Sequence, residues 1–226
     1  NSKGYSIVAY DKGGHGKSSG KRGCIPDIDV YFEEIDSLIG YCANHYGDLP
    51  LVLYGQSMGT PVGLVYVLRN PNVFKAAIGS SGWLRLVKEP SLLTVKMAAV
   101  LEKVLPCLTL SNGLDPKQIS TLQEEVELFK NDPLVHSRIS LSLGNGILGL
   151  VNYLNAYTGP FPVPLLLMHS EDDPITAWQG TNDLATRLEG DVTFWSFSGT
   201  YHELHHDKEA DEIFQSQLTW LEGVLF

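Results

Sequence analysis

The sequence has little cysteine, no long uninterrupted hydrophobic run and no excess of positive charge. Its three cysteines, Cys24, Cys42 and Cys107, are widely spaced and form no CxxC pair. This usage favours free, buried thiols in a reducing compartment. There are 16 Lys and Arg against 26 Asp and Glu, so the net charge is −10. An acidic chain repels phosphate backbones, which argues against nucleic acid as a partner.

Patterns that would hold a metal or a nucleotide are also missing. His45, His136 and His169 have no partners at metal-ligand spacing, and no G-x-G-x-x-G segment follows a predicted strand. We therefore predict no metal site and no nucleotide cofactor.

One stretch, from Ile139 to Ser170, contains no Asp, Glu, Lys or Arg. Ser, Asn, Gly and Pro interrupt it too often for a membrane span. We expect it to form a wall of an apolar pocket, followed by a buried strand.

Apolar runs that alternate with helical patterns predict an α/β fold, with a mostly parallel sheet covered on both faces. The predicted strands are 5–10, 49–54, 75–79, 164–169 and 192–197, and the predicted core helices include 27–46, 60–69 and 207–221. Residues 83–160 differ, because they show helical patterns at 92–105, 117–130 and 145–157 and no convincing strand. The predicted organisation is a core of 1–82 and 161–226, with 83–160 inserted after the third strand as a helical cap.

The segment GQSMG at 55–59 is a G-x-S-x-G motif between a predicted strand and a predicted helix. A serine on such a strained turn projects its hydroxyl above the sheet, and we expect Gly55 and Gly59 to keep the turn free of crowding. Ser57 is therefore the predicted nucleophile. The helix start directs N–H groups at the reacting oxygen, and the Met58 N–H is the predicted oxyanion donor.

A nucleophilic serine needs a base, and the base needs a carboxylate to orient it. The loop after strand 164–169 offers Glu171, Asp172 and Asp173. We favour Asp173 as the acid, with Asp172 as the alternative, and expect one of the two to cap a turn.

The loop after strand 192–197 offers three histidines. His202 stands nearest the end of the strand, whereas His205 and His206 are expected at the start of the last helix. His202 is therefore the predicted base. His15, in the loop after the first predicted strand, is expected to be structural.

Several segments together carry a family resemblance. They are YDKGGHGKSSG at 10–20, YGQSMGTPVG at 54–63, NDPLVH at 131–136, LLLMHSEDDPIT at 165–176 and GTYHELHH at 199–206. Over nearly its whole length the chain resembles the monoacylglycerol lipase and lysophospholipase group of α/β-hydrolases, which is also classed with the serine aminopeptidases. The resemblance implies the α/β-hydrolase fold, Asp173 as acid and His202 as base. It also implies a cap at 83–160 whose apolar face docks on membranes and admits single-chain lipids.

The chain departs from this group at two points. Gln56 precedes the nucleophile where the group usually has His. The group also has further N-terminal strands, one of which would lie between 5–10 and 49–54, and a His-Gly segment that supplies a second oxyanion N–H. The sequence offers no counterpart, so the resemblance implies a member that lacks its N-terminal strands.

The resemblance implies hydrolysis of a single-chain lipid ester through an acyl-enzyme. A lysophospholipase, and a small-ester carboxylesterase or aminopeptidase, would use the same three residues. A non-catalytic scaffold is the alternative that the missing oxyanion segment raises. The apolar helix at Leu92–Leu105 is expected either to touch a membrane as a lid or to pack on the core. The expected location is cytoplasmic, with peripheral membrane contact.

Overall fold

A computed structural model describes residues 4–226, so the start of the chain at Asn1 lies outside the described residues. The helices are α1 (Asp29–Tyr46), α2 (Gly59–Arg69), α3 (Leu92–Glu102), α4 (Gln123–Asn131), α5 (Leu141–Ala156), α6 (Trp178–Arg187) and α7 (Ala210–Leu225). The strands are β1 (Val52–Gln56), β2 (Ala76–Ser80), β3 (Thr109–Ser111), β4 (Arg138–Ser140), β5 (Leu165–Ser170) and β6 (Val192–Phe197).

The central sheet has four strands in the order β1-β2-β5-β6, and each neighbouring pair is parallel. Gln56 at the end of β1 lies opposite Ser80 at the end of β2, and Ser80 lies opposite Met168 in β5. All four carboxyl ends therefore meet at one edge. The predicted α/β fold is confirmed.

The core forms where the apolar runs predict it. Every residue of β5 is buried, and so is each residue of α2 from Thr60 to Val67, as expected of elements covered on all sides. Side chains from α1, α2, α5 and β5 join one cluster, which includes Phe32, Ile35, Val65, Ile147, Leu154 and Leu165.

Helix α5 accounts for half of the uncharged stretch. It begins at Leu141, four residues earlier than predicted, because the Ser140 hydroxyl caps it by accepting a hydrogen bond from the Leu143 N–H at 3.1 Å. Leu143, Ile147 and Leu154 on its buried face belong to the main core. Packing into the core therefore accounts for the missing charge on this face, and the pocket wall stays a prediction.

The prediction of a buried strand at 5–10 is wrong. These residues form no strand, and Ile7 is 84% exposed. A strand needs a neighbour to satisfy its backbone groups, and no strand among residues 4–226 lies beside this segment. The insertion 83–160 consequently follows the second strand that forms, β2, rather than the third.

The prediction that 83–160 contains no strand is also wrong. Strands β3 and β4 form an antiparallel pair in which Leu110 lies opposite Ile139. Each strand has three residues, too few for an alternating pattern to be visible in the sequence. Helix α4 begins at Gln123 rather than 117, because a short 3-10 helix at Pro116–Gln118 precedes it.

Two of the three cysteines are paired, which corrects the prediction of free thiols. A disulfide joins Cys24 to Cys107, with 5.4 Å between their Cα atoms, and Cys42 stays free and buried. Next to the disulfide, the Ser140 N–H donates to the carbonyl of Gly23, the residue before Cys24, at 2.8 Å. The distance along the chain concealed the pairing, since the two cysteines are 83 positions apart in the sequence. The prediction of a cytoplasmic location, which rested on free thiols, loses that support.

Replacing Cys107→Ser should lower the free energy of unfolding by about 2–4 kcal/mol, because the long loop closed by the disulfide becomes unconstrained in the unfolded chain. Denaturant titration of the oxidised protein measures this, with Cys42→Ser as the control that leaves the disulfide intact. Alkylation of the denatured wild type should label Cys42 alone before reduction. Labelling of all three cysteines without reductant would contradict the pairing.

Candidate active site

Three loops at the carboxyl edge of the sheet bring the predicted residues together. Ser57 follows β1, Asp173 follows β5 and His202 follows β6. The Ser57 Oγ lies 2.9 Å from His202 Nε2, and His202 Nδ1 lies 2.8 Å from Asp173 Oδ2. The three side chains thus form a continuous hydrogen-bonded line from hydroxyl to carboxylate.

Ser57 stands on a strained turn. Its φ of 50° is in the left-handed region, which non-glycine residues rarely adopt. A Cβ at Gly55 would lie 2.5 Å from the Gly59 carbonyl oxygen, so the predicted need for glycine there is confirmed. At Gly59 a Cβ would meet no atom within 4 Å, so that half of the prediction is wrong. The Thr60 hydroxyl closes the turn by donating to the Gly55 carbonyl at 2.9 Å.

Met58 is the N-cap residue of α2. The N–H groups at a helix start have no intrahelical acceptor, and the helix dipole places partial positive charge there. Met58 directly follows Ser57, so its N–H stays the predicted donor to negative charge that develops at the reacting oxygen.

The proton positions on His202 follow from its neighbours. Asp173 Oδ2 can only accept when charged, so His202 Nδ1 carries the proton and donates. The Nε2 lone pair then accepts from the Ser57 hydroxyl. This is the tautomer in which an imidazole can remove the serine proton.

Five hydrogen bonds surround the Asp173 carboxylate. Oδ1 accepts from the N–H groups of Ile175 and Thr176, while Oδ2 accepts from the Thr176 hydroxyl, His202 and His169. Burial by itself would raise the pKa of Asp173, but the hydrogen bonds from His169 and His202 outweigh it and hold that pKa well below its usual range. The buried carboxylate therefore stays charged.

The competing acids lie elsewhere. The Asp172 carboxylate accepts from the Gly199 N–H at 2.6 Å, so it caps a turn of the base loop, as one of the two aspartates is expected to do. Glu171 accepts from the Ser196 hydroxyl.

The competing histidines also point away from Ser57. His205 contacts the Tyr54 hydroxyl and Gln217, and His206 pairs with Glu203. They lie in a 3-10 turn rather than in α7. His15 contacts the Gly13 carbonyl within its own loop.

A second buried carboxylate holds the loop that carries His202. Asp207, 4% exposed, accepts from the N–H groups of Thr121, Tyr201 and Lys208 and from the Thr121 hydroxyl. Burial alone would raise the pKa of Asp207, but the Thr121 hydroxyl and these N–H donors lower it below the ordinary 3.8. Because Tyr201 directly precedes His202, the insertion and the base loop share one anchor.

Further contacts reinforce that anchor. The Ser120 hydroxyl donates to the His206 carbonyl at 2.6 Å, and the Glu203 N–H donates to the Ile119 carbonyl at 2.8 Å. Residues 119–121 thus lie against residues 201–207.

The sequence reasoning missed His169, Thr176 and Asp207. Thr176 lies in a segment that carries the family resemblance, and Asp207 directly follows another. Nothing in the spacing of these residues indicates that Thr176 contacts Asp173 or that Asp207 contacts Thr121. His169 lies on β5, where a lone histidine among apolar residues gives no signal of its partner.

Known proteins match the chain over most of its length. The serine aminopeptidase S33 family matches residues 1–209. A monoacylglycerol lipase of Mycolicibacterium smegmatis is 29% identical over 96% of this chain and 78% of its own length. A monoglyceride lipase of Rattus norvegicus is 28% identical over 95% of this chain and 72% of its own.

The fold is similar to a solved structure as well. The crystal structure of the Paleococcus ferrophilus monoacylglycerol lipase superposes with a TM-score of 0.91 at 33% identity, over 99% of this chain and 86% of that one.

Substituting Asp207→Asn should lower the free energy of unfolding by about 2 kcal/mol near neutral pH, because hydrogen bonds to a charged acceptor are lost. The pKa of Asp207 is depressed in the folded state, so its contribution is complete above the ordinary pKa of 3.8 and declines as the pH falls below it. Denaturant titrations across this range should therefore show the two proteins converging at low pH. A difference that is independent of pH would contradict the charged anchor.

Proposed function

Because the chain belongs to the serine aminopeptidase S33 family and is a serine hydrolase of the α/β-hydrolase fold, we propose that it hydrolyses the ester bond of a single-acyl-chain lipid of the monoacylglycerol type. The observation that carries this proposal is the continuous line from the Ser57 hydroxyl through His202 to the buried Asp173 carboxylate. The names of its lipase relatives support the substrate class.

In the proposed mechanism, Ser57 Oγ attacks the ester carbonyl while His202 Nε2 takes its proton. Asp173 holds the ring orientation and stabilises the imidazolium that results. The Met58 N–H donates to the oxygen on which negative charge develops. His202 then protonates the departing glycerol oxygen, and water cleaves the acyl-enzyme by the same route.

Alternative substrates use the same three residues. A lysophospholipase or small-ester carboxylesterase would need a different pocket rather than different chemistry, and an aminopeptidase would need a site for a free amine. The lipase relatives favour a glycerol ester. Because the chain is a serine hydrolase, the alternative of a non-catalytic scaffold is disfavoured.

We also propose that residues 83–160 act as the cap, with α5 as the helix that anchors it to the core and α3 as its outer face. None of the residues of α3 is buried. Large apolar side chains on and after this helix are exposed, among them Leu92, Leu93, Met97, Val100, Leu101, Val104 and Leu105. This exposure disfavours a helix that packs on the core.

The occupant that we propose for this surface is a lipid membrane. Residues 83–160 carry seven basic and seven acidic side chains, so this part of an acidic protein has no net charge to repel an anionic surface. None of the helices formed by residues 4–226 combines the length and apolarity that crossing a bilayer requires. The proposed contact is therefore peripheral.

A fluorophosphonate probe should add to wild-type protein once, at Ser57, as read by intact mass and peptide mapping. Ser57→Ala should take up no probe and should lose monoacylglycerol hydrolysis by a factor on the order of 10⁴ or more. Asp173→Asn should be nearly as inactive, since the imidazole loses the carboxylate that selects its tautomer.

Asp172→Asn is the matched control, because an amide oxygen still accepts from the Gly199 N–H, and it should stay close to wild type. Equal losses in both aspartate variants would reject the assignment of Asp173. Equal efficiency on acetyl and long-chain glycerol esters would reject the lipid substrate.

Leu93→Ser combined with Val100→Ser should weaken binding to anionic phospholipid vesicles at least about tenfold, because each change removes apolar area from the proposed contact. Sedimentation with vesicles measures this, and turnover of a water-soluble ester should stay unchanged. Leu128→Ser, which alters an exposed leucine on α4, is the control. If all the proteins sediment alike, or none sediments, the membrane contact is wrong.

A further inference from the structure

A second histidine contacts the carboxylate that orients His202. His169, the fifth residue of β5, is fully buried, and its Nε2 lies 3.1 Å from Asp173 Oδ2. Thus one carboxylate oxygen lies between two imidazoles, His202 on the side of the nucleophile and His169 on the side of the core.

The neighbours of His169 determine where its proton is. Its Nε2 faces Asp173 Oδ2 and the Thr176 carbonyl, each at 3.1 Å, and both of these can only accept. Nε2 must therefore carry the proton and donate. At the other end of the ring, Nδ1 lies 2.7 Å from the Thr181 hydroxyl, which donates to it. Thr181 on α6 thus supports the tautomer that the two acceptors at Nε2 impose on a histidine of β5.

We infer that His169 is a positioning residue that sets how strongly Asp173 binds the proton on His202. This inference rests on the proposed function of the Ser57, His202 and Asp173 line.

The physical reason is competition for one oxygen. Negative charge on Oδ2 is shared among the donors that it accepts, so each additional donor weakens the hold on the others. The His169 N–H partly neutralises Oδ2 on the side away from the nucleophile. His202 then contacts a carboxylate that orients its ring but binds the imidazolium less tightly.

The surroundings supply few other charges. Among residues 4–226, His169 is the one titratable side chain that hydrogen-bonds to the pair formed by Asp173 and His202. The other groups that contact this pair are the hydroxyls of Thr176 and Ser57 and backbone N–H groups. A change at His169 should therefore directly alter the hydrogen bond between Asp173 and His202.

The test compares His169→Met, which fills similar volume without a donor, with His169→Gln, whose side-chain amide can still donate to Asp173. The readout is the pH profile of kcat/KM for a soluble ester. In His169→Met the acid limb should move to higher pH by at least about 0.5 unit, the direction expected when a hydrogen bond to the carboxylate is lost. In His169→Gln it should stay near the wild-type position.

Thr181→Val and Thr181→Ser form a second matched pair that leaves the buried histidine in place. The Thr181 hydroxyl donates to Nδ1 and thereby strengthens the Nε2–H as a donor, so Thr181→Val should shift the acid limb in the same direction and Thr181→Ser should not. Leu167→Val, which perturbs β5 away from the carboxylate, controls for stability alone and should not move the limb.

The outcomes separate this inference from the proposed function. If wild type hydrolyses esters and the acid limbs of all the variants coincide, His169 is only a core residue and the inference is overturned. A limb that moves equally in His169→Gln and His169→Met also overturns it, because the donor would then not be the cause. If wild type neither hydrolyses esters nor takes up a fluorophosphonate, the proposed function fails and this inference fails with it.

Discussion

The Asp173 carboxylate can remain charged inside the protein only because hydrogen-bond donors surround it. A lone buried carboxylate would bind a proton instead of orienting an imidazole. Its donors come from β5, from the turn that follows and from the base loop after β6, so these elements must pack correctly before the acid can function. Much of the architecture at this edge of the sheet serves that requirement.

The same requirement connects the insertion to the catalytic edge. Asp207 is also buried and charged, and it joins Thr121 of the insertion to Tyr201, the residue before His202. Residues 83–160 have a second attachment in the disulfide and a third in α5, whose buried face belongs to the main core. Helix α3 precedes both along the chain, and its large apolar side chains are exposed. The cap that we propose would therefore be held at several points while one apolar face stays free for a lipid surface.

Strain and burial are therefore concentrated where the proposed chemistry occurs. Ser57 has a left-handed backbone conformation that costs energy, and it stands on the turn between β1 and α2 where the Gly55 backbone closely approaches the Gly59 carbonyl. The hydroxyl is consequently presented to His202 without reorganisation.

Local patterns in the sequence were sufficient for the parts of this protein that depend on neighbours along the chain. Apolar runs mark β1, β2, β5 and β6, and they are clearest in β2 and β5, where every residue is buried. The glycine turn identifies Ser57 because its sterics are local, and the order of strands and loops favours Asp173 over Asp172 as the acid and His202 as the base. Packing between distant segments settled the rest: the pairing of Cys24 with Cys107, the short β3–β4 pair and the absence of a strand at 5–10. It also brought His169 to Asp173 and Asp207 to Thr121. Such contacts depend on which surfaces meet after the chain folds, and a buried polar side chain gives no local sign of the partner that will satisfy it.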